Sequence, residues 1–252
     1  MRRIGFGLLS LLAFLAAWKL VTVVGGYPEF ILPAPEVVLE RAARAIGSGV
    51  LWEHVATTML EVILGFTFGA TAGILIGIAL GKSVVIEQVL SPYIVAAQAI
   101  PILALAPLLD IWFGGGLLAR VAICALIVFF PIAIATMVGI RSADPLLDEL
   151  LRSLGASSSQ RTRLLEVPSA LPVIFGGLKT SATIAATAAI VAEFVGSNKG
   201  LGYVLLQGTA NLDTTLVFAV LFLLTIIGLA LNTIVEVVEF VITPWQRAQT
   251  RS

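Results

Sequence analysis

Apolar segments long enough to cross a lipid bilayer alternate with short polar segments along most of the chain. A helix that crosses the hydrocarbon core needs about 20 mainly apolar residues. We therefore predict about six membrane-spanning helices, at residues 4–24, 52–80, 84–101 with a continuation to 113, 117–140, 170–195 and 215–242. Apolar runs of this length exclude a β-barrel, whose strands are short and alternate apolar with polar residues. The pattern predicts an all-α membrane protein with a single transmembrane domain over residues 1–252.

The first apolar segment, residues 4–24, follows Arg2 and Arg3, which is also the pattern of a cleaved signal peptide. The run is long, Lys19 interrupts it late, and no convincing small-residue cleavage site follows. We predict a retained N-terminal span, with a signal peptide as the alternative. The next segment, PEVVLERAARAI, has apolar residues at helical spacing with charged residues between them. It predicts a short amphipathic helix on the membrane surface, with a simple solvated connection as the alternative.

Glycines recur at every fourth position of the second predicted span, at residues 65, 69, 73, 77 and 81. In a membrane such a face lets a neighbouring helix approach closely, and we predict that it packs either within the chain or against a second copy. The end of this span, Gly81-Lys82-Ser83, resembles the end of a phosphate-binding loop. That motif also requires a preceding strand and a glycine at the position of Ile76, so we exclude ATP binding here.

Prolines interrupt the third apolar segment at Pro101 and Pro107, and we predict that both break its helix. Broken helices at membrane depth are tolerated where they face protein or water. Gln98, Asp110 and Trp112 are therefore candidate residues of a translocation pathway. The alternative is an interfacial turn, in which the tryptophan belongs to an aromatic belt.

Two carboxylates, Glu61 and Glu193, fall within the second and fifth predicted spans. Ionisable groups inside a membrane are costly and usually functional, so we predict a place for both in the pathway. The alternative is that both lie near the membrane interface and cap helices.

The longest polar interval, residues 144–168, predicts a helix-turn-helix between two spans. Its leucines at 147, 150, 151 and 154 share one helical face, which we expect to pack on the chain's own bundle. The opposite face would then contact a soluble partner. Gly155 is suited to end the first helix, Ser157 to begin the second, and Pro168 to start the following span. The alternative is a loop that only confers solubility.

Basic residues are unevenly distributed between the loops, which predicts the orientation of the spans. One side holds Arg2, Arg3, Lys82, Arg141, Arg152, Arg161, Arg163, Arg247 and Arg251, and the other holds Arg41, Arg44, Lys199 and Arg120. The richer side is cytoplasmic by this rule, so we predict both termini and the 144–168 loop in the cytoplasm.

The composition agrees with a membrane protein, because 59% of residues are hydrophobic and only 12% are charged. A soluble domain is about 25% charged. With zero net charge and no basic block, nucleic acid is excluded as a partner. The single Cys124 and single His54 exclude a disulfide framework and a Cys/His metal site, so we expect no metal and no cofactor in this chain. No catalytic motif fits this topology, and a membrane enzyme is a further alternative.

The polar interval resembles the EAA loop of permease subunits of binding-protein-dependent ABC importers. Glu149, Gly155 and Pro168 match that pattern in identity and spacing, and Leu165 is an apolar equivalent. Residues 150 and 151 are leucines where the family has alanines. The resemblance implies an ATPase-coupling site, made up of Glu149, Arg152, Gly155, Ala156, Leu165 and Pro168.

Three further stretches resemble the nitrate/sulfonate/taurine-type branch of this family: PILALAPLLDIWFGGG, FFPIAIATMVGIRSADP and AEFVGSNKGLGY. The resemblance covers a core at about residues 54–245. Glu61 stands where sulfonate-type members usually carry a basic residue. This departure favours relatives that import pyrimidine precursors of thiamin, or riboflavin.

The resemblance implies an ABC type I importer permease fold in the bacterial inner membrane. The implied partners are two cytoplasmic ATPase subunits that bind ATP and Mg, a second permease copy, and a periplasmic or lipid-anchored substrate-binding protein. We expect the binding protein to dock around residues 25–50 and 197–213. The alternative is a self-sufficient channel or proton-coupled carrier that uses Glu61, Asp110 and Glu193 as a relay.

Overall fold

The computed structural model describes residues 2–245 of the chain, and within that range it contains helices and no strand. Arg247 and Arg251, which we used to predict the orientation, lie outside the described residues. The α-helices are α1 (Arg2–Gly25), α2 (Pro35–Gly47), α3 (Val50–Lys82), α4 (Val84–Ala99), α5 (Ile102–Trp112), α6 (Gly116–Arg141), α7 (Pro145–Ser153), α8 (Ser158–Arg161), α9 (Val167–Glu193), α10 (Leu201–Ala210) and α11 (Thr214–Ile242).

Each predicted span coincides with a helix or a helix pair, but not all of these are long and apolar enough by themselves to cross a membrane. Four segments of the described residues are long and apolar enough to cross: Leu51–Lys82, Gly116–Arg141, Ser158–Glu193 and Thr214–Ile242. A fifth crossing results if α4 and α5, which meet at a bend of 100°, count as one broken span. The apolar part of α1, Leu9–Gly25, is shorter than the others. A total of six crossings stays a prediction.

The bend between α4 and α5 lies at Pro101, where a break was predicted. Pro101 precedes the first residue of α5 and lacks the N–H that would continue the helix. The second predicted break, at Pro107, is wrong, because this proline lies inside α5. The helix persists there because the adjacent Ala106 is fully buried, in a cluster with Ile123 of α6 and Ala192 of α9.

The glycine face of α3 packs on α6 of the same chain, which decides between the two predicted partners for it. A Cβ added to Gly69 would lie 2.5 Å from the carbonyl oxygen of Ala125. One added to Gly73 would lie 2.9 Å from the carbonyl oxygen of Phe129. The obstacles are backbone atoms, so the two helices touch along their main chains. Helix α9 completes the core, in which Val128 and Ala189 are fully buried.

Helix α2 forms where the amphipathic helix was predicted, but it packs on protein as well as facing outward. Val38 and Ala45 are buried, and Arg41 forms an ion pair of 2.8 Å with Asp213, the N-cap of α11. Partial burial raises the pKa of Asp213, but the Arg41 hydrogen bond and the Leu216 N–H outweigh it and hold that pKa below its usual value. The ion pair fixes α2 to the end of α11.

Replacing Gly69 with alanine tests the helix contact. The added methyl group meets the α6 backbone and cannot be relieved by a rotamer change, so we expect a loss of about 1–3 kcal/mol of stability, the usual cost of overpacking. Gly176→Ala is the matched control, because nothing lies within 4 Å of its Cβ position in α9. Thermal unfolding of both variants in detergent should show a lowered midpoint for Gly69→Ala alone. Equal midpoints would contradict the packing.

Candidate functional site

The polar interval folds into two short helices, α7 and α8, which with the turn between them are called here the loop hairpin, residues 144–166. Asp144 caps α7 by accepting a hydrogen bond of 2.8 Å from the Leu146 N–H. At the other end the Gly155 N–H donates to Arg152 O and the Ala156 N–H to Leu151 O, both at 2.9 Å. This is a Schellman motif, which needs a left-handed residue, and Gly155 supplies it at φ +78°.

The second half of the hairpin continues directly into the long span. A capping box begins α8, in which Ser157 accepts from the Gln160 N–H and Gln160 accepts from the Ser157 N–H. A π-helical turn, Thr162–Glu166, then joins α8 to α9. Pro168 lies in the first turn of α9, as predicted, but the π turn leaves no loop between α8 and that span. The Val167 N–H reaches back to Thr162 O within the π turn, so the helix continues past the proline.

Charged groups hold the hairpin together and attach it to the bundle. Asp148 accepts from Arg161 at 2.8 and 3.0 Å and pairs with Arg152 at 2.7 Å. The Arg161 hydrogen bond, helped by Arg152, holds the pKa of Asp148 below its usual value. At the base of the hairpin, Glu166 pairs with Lys82 of α3 at 3.1 Å.

The leucine face of α7 is exposed, so its predicted packing against the chain's own bundle is wrong. Leu147, Leu150 and Leu154 are 47%, 53% and 73% exposed, and Leu151 is half-buried. The ion pairs of Asp148 direct the polar side of α7 toward α8, which turns the leucines outward. Of the predicted coupling residues, Glu149, Arg152 and Gly155 are exposed, Ala156 and Pro168 are half-buried, and Leu165 is buried. An exposed apolar face of this kind is typical of a surface that contacts another protein.

At the opposite end of the bundle, Glu61 and Glu193 come together in a buried polar group that we call the carboxylate cluster. Its members are Thr58 and Glu61 of α3, Arg120 of α6, Glu193 of α9 and the Gly202 N–H of α10. Glu61 is 0% and Glu193 is 1% exposed. Arg120 donates to Glu61, while the Thr58 hydroxyl donates to Glu193 at 2.5 Å.

The other predicted pathway residues lie outside this cluster. Asp110 is half-buried beside Gly196, in the segment that follows α9. Gln98 and Trp112 are exposed on the surface of the chain. We did not predict Thr58 and Arg120. Two features of the sequence could have indicated them. Thr58 places a hydroxyl one helical turn before Glu61, and Arg120 is the lone cation in the apolar segment 117–140.

A groove that the sequence did not predict lies between α9 and α11. It encloses about 320 Å³, and Thr183, Thr187 and Thr225 contribute hydroxyl groups to its lining beside Gly228. The exposed threonines of α9 recur at helical spacing, at residues 180, 183 and 187. A hydroxyl-bearing face in a membrane-spanning helix is suited to protein or water rather than lipid.

A bundle of long apolar helices with a polar hairpin between two of them is typical of a protein that spans a membrane. Residues 69–248 match the family described as "Binding-protein-dependent transport system inner membrane component". The riboflavin transport system permease protein RibX of Chloroflexus aurantiacus is 39% identical over 94% of this chain and 88% of its own length. The formylaminopyrimidine transport permease protein ThiX of Halalkalibacterium halodurans is 30% identical over 96% of each chain.

Solved structures agree on the fold. The crystal structure of an amino acid ABC transporter with histidines matches 80% of this chain and 96% of that chain, with a TM-score of 0.59 at 20% identity. The chain belongs to the inner membrane components of binding-protein-dependent transport systems, and it is an ABC transporter permease subunit in the inner membrane. The predicted family, its branch and the type I importer permease fold are thereby confirmed.

Asp148→Ala tests whether the Asp148 ion pairs hold the two short helices together. Without them α7 is tied to α8 only through the connecting turn, so we expect faster amide hydrogen exchange across residues 145–153, with α9 unchanged. Glu149→Ala is the control, because it removes an exposed neighbouring carboxylate and leaves Asp148 in place. Equal exchange in both variants would show that the turn alone holds α7.

Proposed function

We propose that two copies of this chain form the translocation pathway of an ATP-driven importer for a small organic solute or oxyanion. Two cytoplasmic ATPase subunits bind ATP and Mg and drive alternating access, and this chain itself carries no cofactor. A periplasmic or lipid-anchored binding protein delivers the substrate. Both termini and the loop hairpin lie in the cytoplasm, in keeping with the distribution of basic residues.

The uncovered leucine face of α7 is the observation that supports coupling to the ATPase. The hairpin exposes Leu147, Leu150 and Leu154. Asp148 ties α7 to α8 through Arg161, and Glu166 ties the base of the hairpin to α3. A group of neighbouring apolar side chains left in contact with water is typical of a surface that a partner protein covers. A groove on each ATPase subunit receives α7, and Glu149 and Arg152 form the polar rim of that contact.

Exposure of α4 supports a second permease copy. None of the 16 residues of α4 is buried, although the helix is apolar and leaves α5 at 100°. A second copy covers part of this surface, and the pathway lies between the copies. Its lining includes Gln98, Asp110, Trp112 and the threonine groove of α9 and α11. A direct role for Glu61 and Glu193 stays a prediction, since the chain's own helices enclose both carboxylates in this conformation.

The names of the relatives narrow the proposed substrate. RibX is named for riboflavin and ThiX for a formylaminopyrimidine, and both are nitrogen heterocycles. We propose a substrate of this class ahead of sulfonates, taurine or nitrate, which the wider branch also suggests. The binding protein selects among these candidates before the permease does.

Reconstitution tests the proposal. Proteoliposomes containing the permease, its ATPase and the binding protein should accumulate riboflavin or a formylaminopyrimidine only when ATP is supplied. Taurine serves as the competing substrate. Uptake by the permease alone, driven by a proton gradient, would instead show a self-sufficient carrier and overturn the proposal.

Gly155 should be essential for coupling because of its backbone conformation. A leucine in the left-handed region costs about 1–2 kcal/mol, whereas asparagine tolerates it. Nothing lies within 4 Å of the Gly155 Cβ position, so a clash does not complicate the result. We expect Gly155→Leu to insert normally but to hydrolyse ATP without uptake, and Gly155→Asn to transport nearly as well as wild type. Full transport by Gly155→Leu would show that the coupling site lies elsewhere.

A further inference from the structure

One continuous helical segment connects the loop hairpin to the carboxylate cluster. It runs over Ser158–Glu193, 36 residues, and includes the π turn. At about 1.5 Å per residue it is roughly 50 Å long, enough to cross the whole bilayer. Arg161 near one end is bound by Asp148 of the hairpin, and Glu193 at the other end belongs to the cluster. A displacement of the hairpin therefore reaches Glu193 without passing through a loop.

Glu193 holds the start of α10. Its carboxylate accepts from the Gly202 N–H as well as from Thr58. A Cβ on Gly202 would lie 2.9 Å from that carboxylate, and one on Gly200 would overlap it. The two glycines thus allow the carboxylate to sit directly against the main chain. The positive end of the α10 dipole also favours a negative group here.

Side chains of α3 satisfy the neighbouring amides in the same way. The Leu201 N–H donates to the Thr58 hydroxyl at 2.8 Å, and the Gly200 N–H donates to His54 Nδ1 at 3.1 Å. Thr58 thus bridges α10 to Glu193, since it accepts from one and donates to the other. These bonds attach α10 to α3 and α9 through side chains, and removing a single one would loosen its start.

The far end of α10 leads to the outer surface of the bundle. The segment after it reaches Asp213, which is bound to Arg41 of α2. Helices α2 and α10 lie in the two regions, 25–50 and 197–213, where we expect the binding protein to dock. A shift of α10 would therefore change the shape of that docking surface.

We propose that Glu193 is a positioning residue that makes α10 move with α9, so that the state of the ATPase bound at the hairpin alters the surface offered to the binding protein. This inference rests on the proposed importer function. The hydrogen bond between Glu193 and the Gly202 N–H transmits a displacement of α9, because it joins the end of α9 to the start of α10. The Thr58 hydroxyl bonds to both Glu193 and the Leu201 N–H, and so it holds the end of α9 and the start of α10 in a fixed relative position.

Amide hydrogen exchange of the permease–ATPase complex in lipid nanodiscs, with and without ATP and vanadate, tests the proposal. In wild type we expect exchange to change several-fold with nucleotide at both the loop hairpin and residues 200–210. Glu193→Ala should retain the response of the hairpin and lose that of residues 200–210. Glu193→Gln, which keeps an acceptor oxygen, should restore part of it.

Thr58→Val provides a second test in case the Glu193 variants fail to fold. It removes the bridging hydroxyl at nearly constant side-chain volume. It should weaken the response of residues 200–210. Thr57→Val is its matched control, since the Thr57 hydroxyl bonds to Glu53 O within α3 and should leave the response intact. A wild-type response at residues 200–210 in both Glu193→Ala and Thr58→Val would overturn the inference.

Two further outcomes separate this inference from the function on which it rests. A nucleotide response at the hairpin with none at residues 200–210 in wild type would overturn the role of Glu193 and leave the importer function standing. A complex without nucleotide response at either place would overturn the proposed function, and the inference with it.

Discussion

The main-chain contact between α3 and α6 is the constraint on which the rest of the structure depends. Lipid provides no hydrophobic drive for helices to associate, so close packing must supply the attraction. The glycine face provides it, because carbonyl groups of α6 occupy the space where side chains of α3 would stand. A shift of either helix by one residue would bring side chains into that space. The contact therefore fixes the register of the two helices.

That register brings polar side chains into contact toward both ends of α3. At one end Lys82 reaches Glu166 at the base of the loop hairpin. At the other end Thr58 and Glu61 meet Glu193 and Arg120. A buried ion pair is a poor source of stability, but separating it leaves an uncompensated charge, which costs about 3–5 kcal/mol. The carboxylate cluster thus destabilises other registers of α3 and α6 more than it stabilises the observed one. It therefore favours the same register as the glycine face.

The sequence predicts well the features that depend on neighbouring residues. The apolar segments, the break at Pro101 and the special backbone at Gly155 each follow from local chemistry, and each is present. Features that depend on distant parts of the chain were missed. The continuous connection of α8 to α9 depends on a π turn, whose hydrogen bonds no sequence motif indicates. The outward direction of the α7 leucines follows from the pairing of Asp148 with Arg161, which a helical pattern within α7 cannot show.

The same pairing bears on the proposed coupling, which requires a short hairpin to transmit force. A flexible joint would absorb a displacement applied at α7 before it reached α9. The Schellman turn at Gly155, the capping box at Ser157 and the two arginines on Asp148 leave little freedom between the two short helices. Leu165, only 7% exposed, then anchors the π turn in the bundle. The hairpin therefore has two sets of residues: exposed leucines, which the proposed coupling assigns to a partner, and charged and buried residues that join it to the long helix.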